Sequence, residues 1–152
     1  MGGSGPERNV LEGRAAELLG ARAIFLGQVP DKLDLYAACD VFALPSHMEG
    51  FGLVYVEAAF HGVPSIGARV GGVPDAVIDG ETGLLVPVGD PDALANAIGR
   101  LRDDPALRAR LGEAARARAY AEFTMDRLAD RYERIFRQGA VARSMKDSAS
   151  PP

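Results

Sequence analysis

The feature that most constrains the fold is the alternation of short apolar runs with helix-forming segments. Four runs are predicted to be strands, at 23–26, 41–44, 64–67 and 83–86. They are nearly continuous in apolar residues, as expected of parallel strands whose two faces are both covered. Because helical segments follow the runs in turn, the sequence predicts an α/β fold with a doubly wound, Rossmann-like parallel sheet.

Helical spacing of apolar residues, together with capping residues, predicts where the helices lie. The predicted helices cover 7–19, 32–38, 53–61, 74–78, 91–102, 105–121 and 125–137. Asp31 and Thr124 are suitable N-caps, and Gly62 suits the position just past a helix end. The polar segment 139–152 is predicted to be a mobile tail, which leaves 1–138 as the domain.

Two helical features bear on packing. The first predicted helix has an apolar face, formed by Val10, Leu11, Ala15, Leu18 and Leu19. The arginines of the last two helices are expected to lie on solvated faces, with their aliphatic stems covering apolar surface. They are Arg116, Arg118, Arg127, Arg131 and Arg134.

Composition excludes several classes of function. The net charge of −4 implies no general attraction to nucleic acid or to anionic lipid. Cys39 is the single cysteine, so the chain forms no internal disulfide, and two histidines without a ligand-like pattern predict no metal site. No apolar run approaches the roughly 20 residues that span a bilayer. The start lacks the regions of a signal peptide, and a cytoplasmic location is expected.

The loop after the second predicted strand is the strongest candidate for a binding site. Ligands of open α/β sheets bind at the carboxyl ends of the strands. Here Glu49, Gly50, Phe51 and Gly52 lead directly into a helix at Leu53. The glycines let the backbone approach a ligand closely, and the unpaired N–H groups of a helix start favour an anion such as a phosphate.

Two acids bracket this predicted helix start. Glu57 lies four residues into the helix, about 6 Å along its axis, and its side chain tilts back toward the loop. A diphosphate on the helix end would bring a ribose diol near Glu57, and Glu49 would face the group beyond the diphosphate. The pattern alone equally allows both acids to be solvated carboxylates. The glycines could serve a tight turn, although two glycines at a helix start favour close approach of a ligand. The ring of Phe51 is expected to pack, which leaves its amide for a ligand.

The segment from Glu49 to Glu57 resembles the Glu-x7-Glu signature of family-4 retaining glycosyltransferases, which have the two-domain GT-B fold. The resemblance continues through 62–64, 71–75 and 79–86 and then the Asp-Pro pair at 90–91. It covers roughly residues 2–137, most of the C-terminal, donor-binding domain of that family. Such enzymes transfer a sugar, typically a hexose, from a nucleotide sugar with retention at the anomeric carbon.

By position, the resemblance implies a role for each residue of the loop. Glu49 would contact the hydroxyls of the donor sugar as the catalytic residue, and Glu57 would bind the ribose. The backbone of Gly50 and the amides of Phe51, Gly52 and Leu53 would meet the diphosphate. Val29 belongs to a segment, 27–29, that resembles the part whose backbone recognises the base. No metal or other cofactor is expected.

The resemblance also implies that the chain is cut off at its N-terminal side. The acceptor-binding domain would be missing, together with the first two strands of this domain and an Arg and a Lys that offset the charge of the diphosphate. Arg69 is the nearest substitute. We therefore expect no useful transferase activity from this chain by itself. We also expect poor folding in isolation, or pairing of open strand edges with another copy. Contact with a membrane would come only through the missing domain.

Two other functions are open to the same sequence. A non-catalytic remnant that binds nucleotide sugars, or acts as a scaffold, would keep the loop without the chemistry. A dinucleotide oxidoreductase is disfavoured, because no Gly-x-Gly-x-x-Gly follows a strand with an acid about 20 residues further on.

Overall fold

A computed structural model describes the backbone of residues 1–148 and the side chains of residues 1–138. Within that part, the helices are α1 (Arg8–Leu19), α2 (Leu33–Ala37), α3 (Leu53–Phe60), α4 (Val73–Ala76), α5 (Pro91–Asp103), α6 (Pro105–Glu122) and α7 (Met125–Ser148). The strands are β1 (Phe42–Leu44), β2 (Ser65–Ala68) and β3 (Gly83–Val86). The chain divides into two compact units, Met1–Leu35 and Tyr36–Pro152.

The strands form one parallel sheet in the order β1-β2-β3. Phe42 is in register with Ser65, and Ser65 with Gly83. Each connection between neighbouring strands contains a helix, as parallel pairing requires. The predicted α/β class with a parallel sheet is confirmed. The second and third predicted strands are present with bounds that differ by one residue, and the fourth has the predicted bounds.

Helices cover both faces of the sheet. Successive side chains along each strand contribute to one face and then to the other. One face packs on α5 and α6, in a cluster formed by Ile66, Leu84, Val86, Ala97, Leu101 and Leu111. The other face packs on α3 and α4, in a cluster whose buried members are Tyr55, Val56, Val73, Ala76 and Val77. Gly67 faces this second cluster, and a β-carbon there would lie 2.7 Å from Val73 Cγ1.

The predicted strand at 23–26 is wrong. Among the described residues, its region forms only one isolated bridge, between Gly2 and Gly27. Leu26 N donates to Met1 O, and Gly3 N donates to Gly27 O. A strand requires a ladder of such bonds over several residues, and apolar composition does not supply a partner. Ile24 and Leu26 are exposed, so the expected cover on both faces is not observed.

The ends of the chain differ from expectation in two further ways. Only Ala15 of the apolar face of α1 is buried, and the other four side chains of that face are exposed. At the other end, α7 is helical to Ser148, so most of the predicted tail at 139–152 has helical backbone. The last four residues of that tail lie outside the described part of the chain, and its mobility stays a prediction.

Helix termini agree closely with the capping residues in the sequence. Leu33 N donates to Asp31 Oδ1 over 2.9 Å, and Arg127 N donates to Thr124 Oγ1 over 3.4 Å. Gly62 has φ 73°, and the N–H of the following residue reaches back to Ala58 O at the end of α3. This is the Schellman arrangement, in which a left-handed glycine ends the helix.

A glycine also sets how closely α6 crosses the end of α3. A β-carbon on Gly112 would lie 2.1 Å from Gly62 O and 3.3 Å from Pro64 Cδ. The two backbones are therefore in contact, with no room for a methyl group between them. This contact holds the C-terminal end of α3 against α6.

Arg118 departs from the solvated role expected for the arginines of α6. Its guanidinium donates to Asp75 O over 2.7 Å and to Ala76 O over 2.9 Å, at the C-terminal end of α4. It also lies 5.1 Å from the ring centroid of Phe123 and forms an ion pair with Glu122. Arg118 thus supplies donors for carbonyl groups that a helix end leaves unpaired.

Candidate donor-binding site

The loop between β1 and α3 is shaped by a left-handed glycine. Gly52 precedes α3 with φ 77° and ψ 61°, a conformation that other residues rarely adopt. A β-carbon there would lie 2.6 Å from Tyr55 Cδ2 and 3.3 Å from Glu49 Cγ. Glycine is therefore required at this position both by conformation and by space.

A second glycine pair, after β2, braces this loop. Gly72 N donates to Gly50 O over 2.6 Å. A β-carbon on Gly71 would lie 1.9 Å from Glu49 O, and one on Gly72 would lie 2.7 Å from Gly50 O. The sequence gives the glycine pair but not its contact partner. The structure assigns Gly71 and Gly72 to close contact between the two loops.

The start of α3 presents backbone donors. Among the described residues, none accepts a hydrogen bond from the N–H of Phe51, Gly52, Leu53 or Val54. The helix has no side-chain N-cap, and the side chain of Leu53 is exposed. Unpaired N–H groups at the positive end of a helix dipole favour an anion.

Glu49 lies on the loop side of this helix start and is half-buried. Its Oε1 accepts a hydrogen bond of 3.0 Å from Gly50 N. Below it, the buried Tyr55 donates its hydroxyl to Leu44 O, at the end of β1. Burial, and secondarily the negative charge of Glu49, raise the pKa of Tyr55 to about 12. The carboxylate of Glu49 therefore lies near a buried phenol, while its own side chain remains partly exposed.

Glu57 lies on the second turn of α3 and is also half-buried. Its Oε2 accepts a hydrogen bond of 2.9 Å from the hydroxyl of Tyr36, which is 2% exposed. Burial is the main cause that raises the pKa of Tyr36, followed by the hydrogen bond to Glu57 and its charge. Sequence reasoning missed Tyr36, because nothing local links it to an acid 21 positions away.

The ring of Phe51 packs as expected. It is half-buried against the α3 side of the core, and its centroid lies 5.7 Å from that of Phe123 in an edge-to-face arrangement. Arg118 covers the other part of the Phe123 ring. The backbone of the loop is thus anchored through Phe51 to the end of α6.

Two further residues were selected from the sequence, Val29 and Arg69. Val29 belongs to the unit Met1–Leu35, and its role toward a base stays a prediction. Arg69, considered as a substitute cation, forms an ion pair of 2.8 Å with Asp79. Asp79 also accepts from Leu85 N, so this arginine braces the turn before β3.

Neither a metal cluster nor a membrane span is found in the described part of the chain. No group of three or more His, Cys, Asp or Glu side chains there could hold a metal ion. No described helix combines the length and the apolar character needed to cross a bilayer.

Comparison with known sequences gives one family. Residues 1–118 match the model of the family "Glycosyl transferases group 1". The D-inositol 3-phosphate glycosyltransferase of Acidothermus cellulolyticus is 49% identical over 117 residues, which are 75% of this chain and 25% of that protein. The N-acetyl-alpha-D-glucosaminyl L-malate synthase of Bacillus anthracis is 40% identical over 115 residues, 76% of this chain and 30% of that protein.

Solved structures agree in fold. A sucrose-phosphate synthase from Thermosynechococcus elongatus superposes with a TM-score of 0.79 at 42% identity, over 92% of this chain and 37% of that one. Anabaena HepE, solved in complex with UDP, gives a TM-score of 0.81 at 30% identity, over 90% of this chain and 40% of that one. The chain spans less than half the length of each of these relatives.

Proposed function

Because this chain belongs to the group 1 glycosyltransferase family, with the GT-B type of fold, we propose that it is the donor-binding part of a retaining glycosyltransferase. The donor is a nucleotide sugar, and the acceptor is bound by a separate domain of the full-length protein. The proposal includes a cytoplasmic location, which rests on the sequence expectation.

The observation that carries this proposal is the start of α3. Four backbone N–H groups there have no acceptor among the described residues, and an acid lies on either side along the chain. A diphosphate bound to these groups exchanges solvent for fixed dipoles, which stabilise negative charge without reorganisation. The HepE complexes with UDP and with UDP-glucose support a donor of this class.

Each acid has a distinct role in the proposal. Glu57 accepts hydrogen bonds from the ribose hydroxyls, and Glu49 accepts them from the hydroxyls of the transferred sugar. The bond between the anomeric carbon and the diphosphate oxygen breaks as the acceptor oxygen bonds to the same face of that carbon. The departing phosphate takes the acceptor's proton, and the amides of Phe51, Gly52 and Leu53 stabilise its developing charge.

Variants of the two acids test this division of roles in the full-length protein. Loss of hydrogen bonds to a charged group corresponds to about a 10- to 100-fold change in affinity, so Glu57→Gln should weaken binding of free nucleoside diphosphate by that much. Glu49→Gln should leave that affinity nearly unchanged and lower kcat instead. Glu113→Gln, an exposed acid on α6, is the matched control.

Binding is measured by saturation-transfer NMR against UDP-, GDP- and ADP-sugars, and turnover by product formation. Proton NMR of the product gives the anomeric configuration. Inversion would contradict the retaining mechanism, and loss of activity with EDTA would contradict the absence of a metal. Tight binding of a nucleotide sugar without turnover by the full-length protein would favour the non-catalytic alternative.

A further inference from the structure

The hydroxyl of Tyr36 contacts a carboxylate that the proposed function uses for ribose. We propose that Tyr36 is a positioning residue, whose phenol holds Glu57 in the orientation that accepts the ribose hydroxyls. This inference rests on the proposed function and adds to it a residue that touches no substrate. It follows from the 2.9 Å bond between Tyr36 Oη and Glu57 Oε2, which joins α2 to α3.

The ring of Tyr36 is held rigidly enough to act in this way. It packs with Ala58 and Val63 in a buried cluster. Its centroid lies 5.6 Å from that of Phe42, edge to face, and 5.9 Å from that of His61. A ring confined on several sides fixes the position of its hydroxyl, and the hydroxyl then restricts the rotamers of a long acidic side chain.

The chemistry of the donor suits the task. A phenol is a neutral O–H donor at physiological pH. Burial raises the pKa of Tyr36, so its hydroxyl keeps the proton to a higher pH than usual. It therefore orients Glu57 without neutralising the carboxylate. The negative charge of the carboxylate strengthens the hydrogen bonds that it accepts from ribose hydroxyls. A carboxylate offers about four lone-pair sites, so it can accept the bond from Tyr36 together with other hydrogen bonds.

Phe42 extends this arrangement toward the other acid. Its ring packs edge to face on Tyr36 on one side and on Tyr55 on the other, with centroids 5.7 Å apart in the second pair. Tyr55 is the phenol whose pKa is raised in part by the charge of Glu49. One aromatic row, Tyr36-Phe42-Tyr55, thus underlies both carboxylates of the proposed site.

The test compares ligands that differ only in the ribose hydroxyls. Full-length protein is titrated by calorimetry with UDP, GDP and ADP, and the tightest ligand is compared with its 2′,3′-dideoxy counterpart. Tyr36→Phe should weaken the ribonucleotide about two- to tenfold, the change expected for one hydrogen bond, and leave the dideoxy affinity nearly unchanged. Glu57→Gln should lower the same ribo-to-dideoxy ratio further, and the double variant should resemble Glu57→Gln alone.

Tyr120→Phe is the matched control, because it removes the same atom from a half-exposed ring that packs on Phe60. Thermal unfolding by circular dichroism confirms that each variant is folded. Equal weakening of both ligands by Tyr36→Phe, or no weakening, would overturn the positioning role while Glu57→Gln still supports the ribose site. If Glu57→Gln leaves the ratio unchanged, or the wild type binds no nucleoside diphosphate, the proposed function itself fails.

Discussion

Single atoms decide the shape of the candidate site at the residue scale. The carbonyl oxygens of Glu49 and Gly50 lie only 1.9 and 2.7 Å from the positions that β-carbons on Gly71 and Gly72 would take. Two loops that carry no regular structure are thereby in direct contact through their backbone atoms. Side chains then add the bonds that direct each acid, from Gly50 N to Glu49 and from Tyr36 to Glu57.

Replacing Gly71 tests this contact. Gly71→Ala puts a methyl group 1.9 Å from Glu49 O on a residue with φ 53°. Strain and overpacking each cost about 1–3 kcal/mol, so we expect the free energy of unfolding to fall by at least about 2 kcal/mol and donor binding to weaken. Gly99→Ala is the control, since nothing lies within 4 Å of that helical position and it should gain about 0.5–1 kcal/mol. Equal unfolding midpoints for both variants in urea would contradict the close contact.

The buried phenols predict how stability depends on pH. Tyr55 has its pKa raised from 10.0 to about 12, and that of Tyr36 is raised as well. Below pH 10 the two tyrosines are protonated in both the folded and the unfolded chain, and the contribution of the buried phenols to stability is fully present. From about pH 10 to 12 the unfolded chain loses them first, so the free energy of unfolding should fall as pH rises. Urea titrations across this range should give a smaller slope for Tyr55→Phe than for the wild type.

At the scale of elements, the sequence predicts most helices and strands, because their signals are local. Gly62, Asp31 and Thr124 were identified as caps, and each makes its expected contact. The strand at 23–26 was wrong, because pairing depends on a partner that apolar composition cannot specify. The bonds of Arg118 and Tyr36 were missed for the same reason, since they join residues 21 to 43 positions apart.

Arg118 provides the test at this scale, because it links α6 to the end of α4. Arg118→Ala removes donors to Asp75 O and Ala76 O and uncovers Phe123. Bonds to charged groups are worth about 1.5–3 kcal/mol, so a loss of roughly 2 kcal/mol in unfolding free energy is expected. Arg118→Lys should not restore the lost stability, because an ammonium group lacks the planar set of donors with which a guanidinium can bond to two carbonyl groups at once. Arg131→Ala, on an exposed face of α7, should change stability by less than about 0.5 kcal/mol.

For the whole molecule, the open edge of the sheet is the decisive feature. Of the described strands, only β2 pairs with β1. Phe42 N donates to Pro64 O, so the N–H of the next residue, Ala43, points away from β2. An unpaired strand edge is a template for another chain.

We therefore expect the 152-residue chain by itself to associate as its concentration rises. Light scattering coupled to gel filtration measures this. Ala43→Pro removes the outward donor without removing a bond to β2, and it should shift the population toward monomer. Unchanged association of this variant would exclude the β1 edge as the contact.

Catalysis is the second expectation for the whole molecule. The chain spans 25–40% of the relatives compared above, so under the proposal the acceptor site lies outside it. The isolated chain, supplied with nucleotide sugars and candidate acceptors, should give no turnover by mass spectrometry. Multiple turnovers would show that these residues bind the acceptor as well as the donor and catalyse the transfer.

The crossing of α3 and α6 at Gly112 has a genetic consequence. Every amino acid except glycine carries a β-carbon, so each missense change in codon 112 inserts an atom 2.1 Å from Gly62 O. Codon 99, in a helix with open space around it, imposes no such restriction. In a saturation library selected for function, the first codon should retain only its synonymous changes, and the second should accept many alleles.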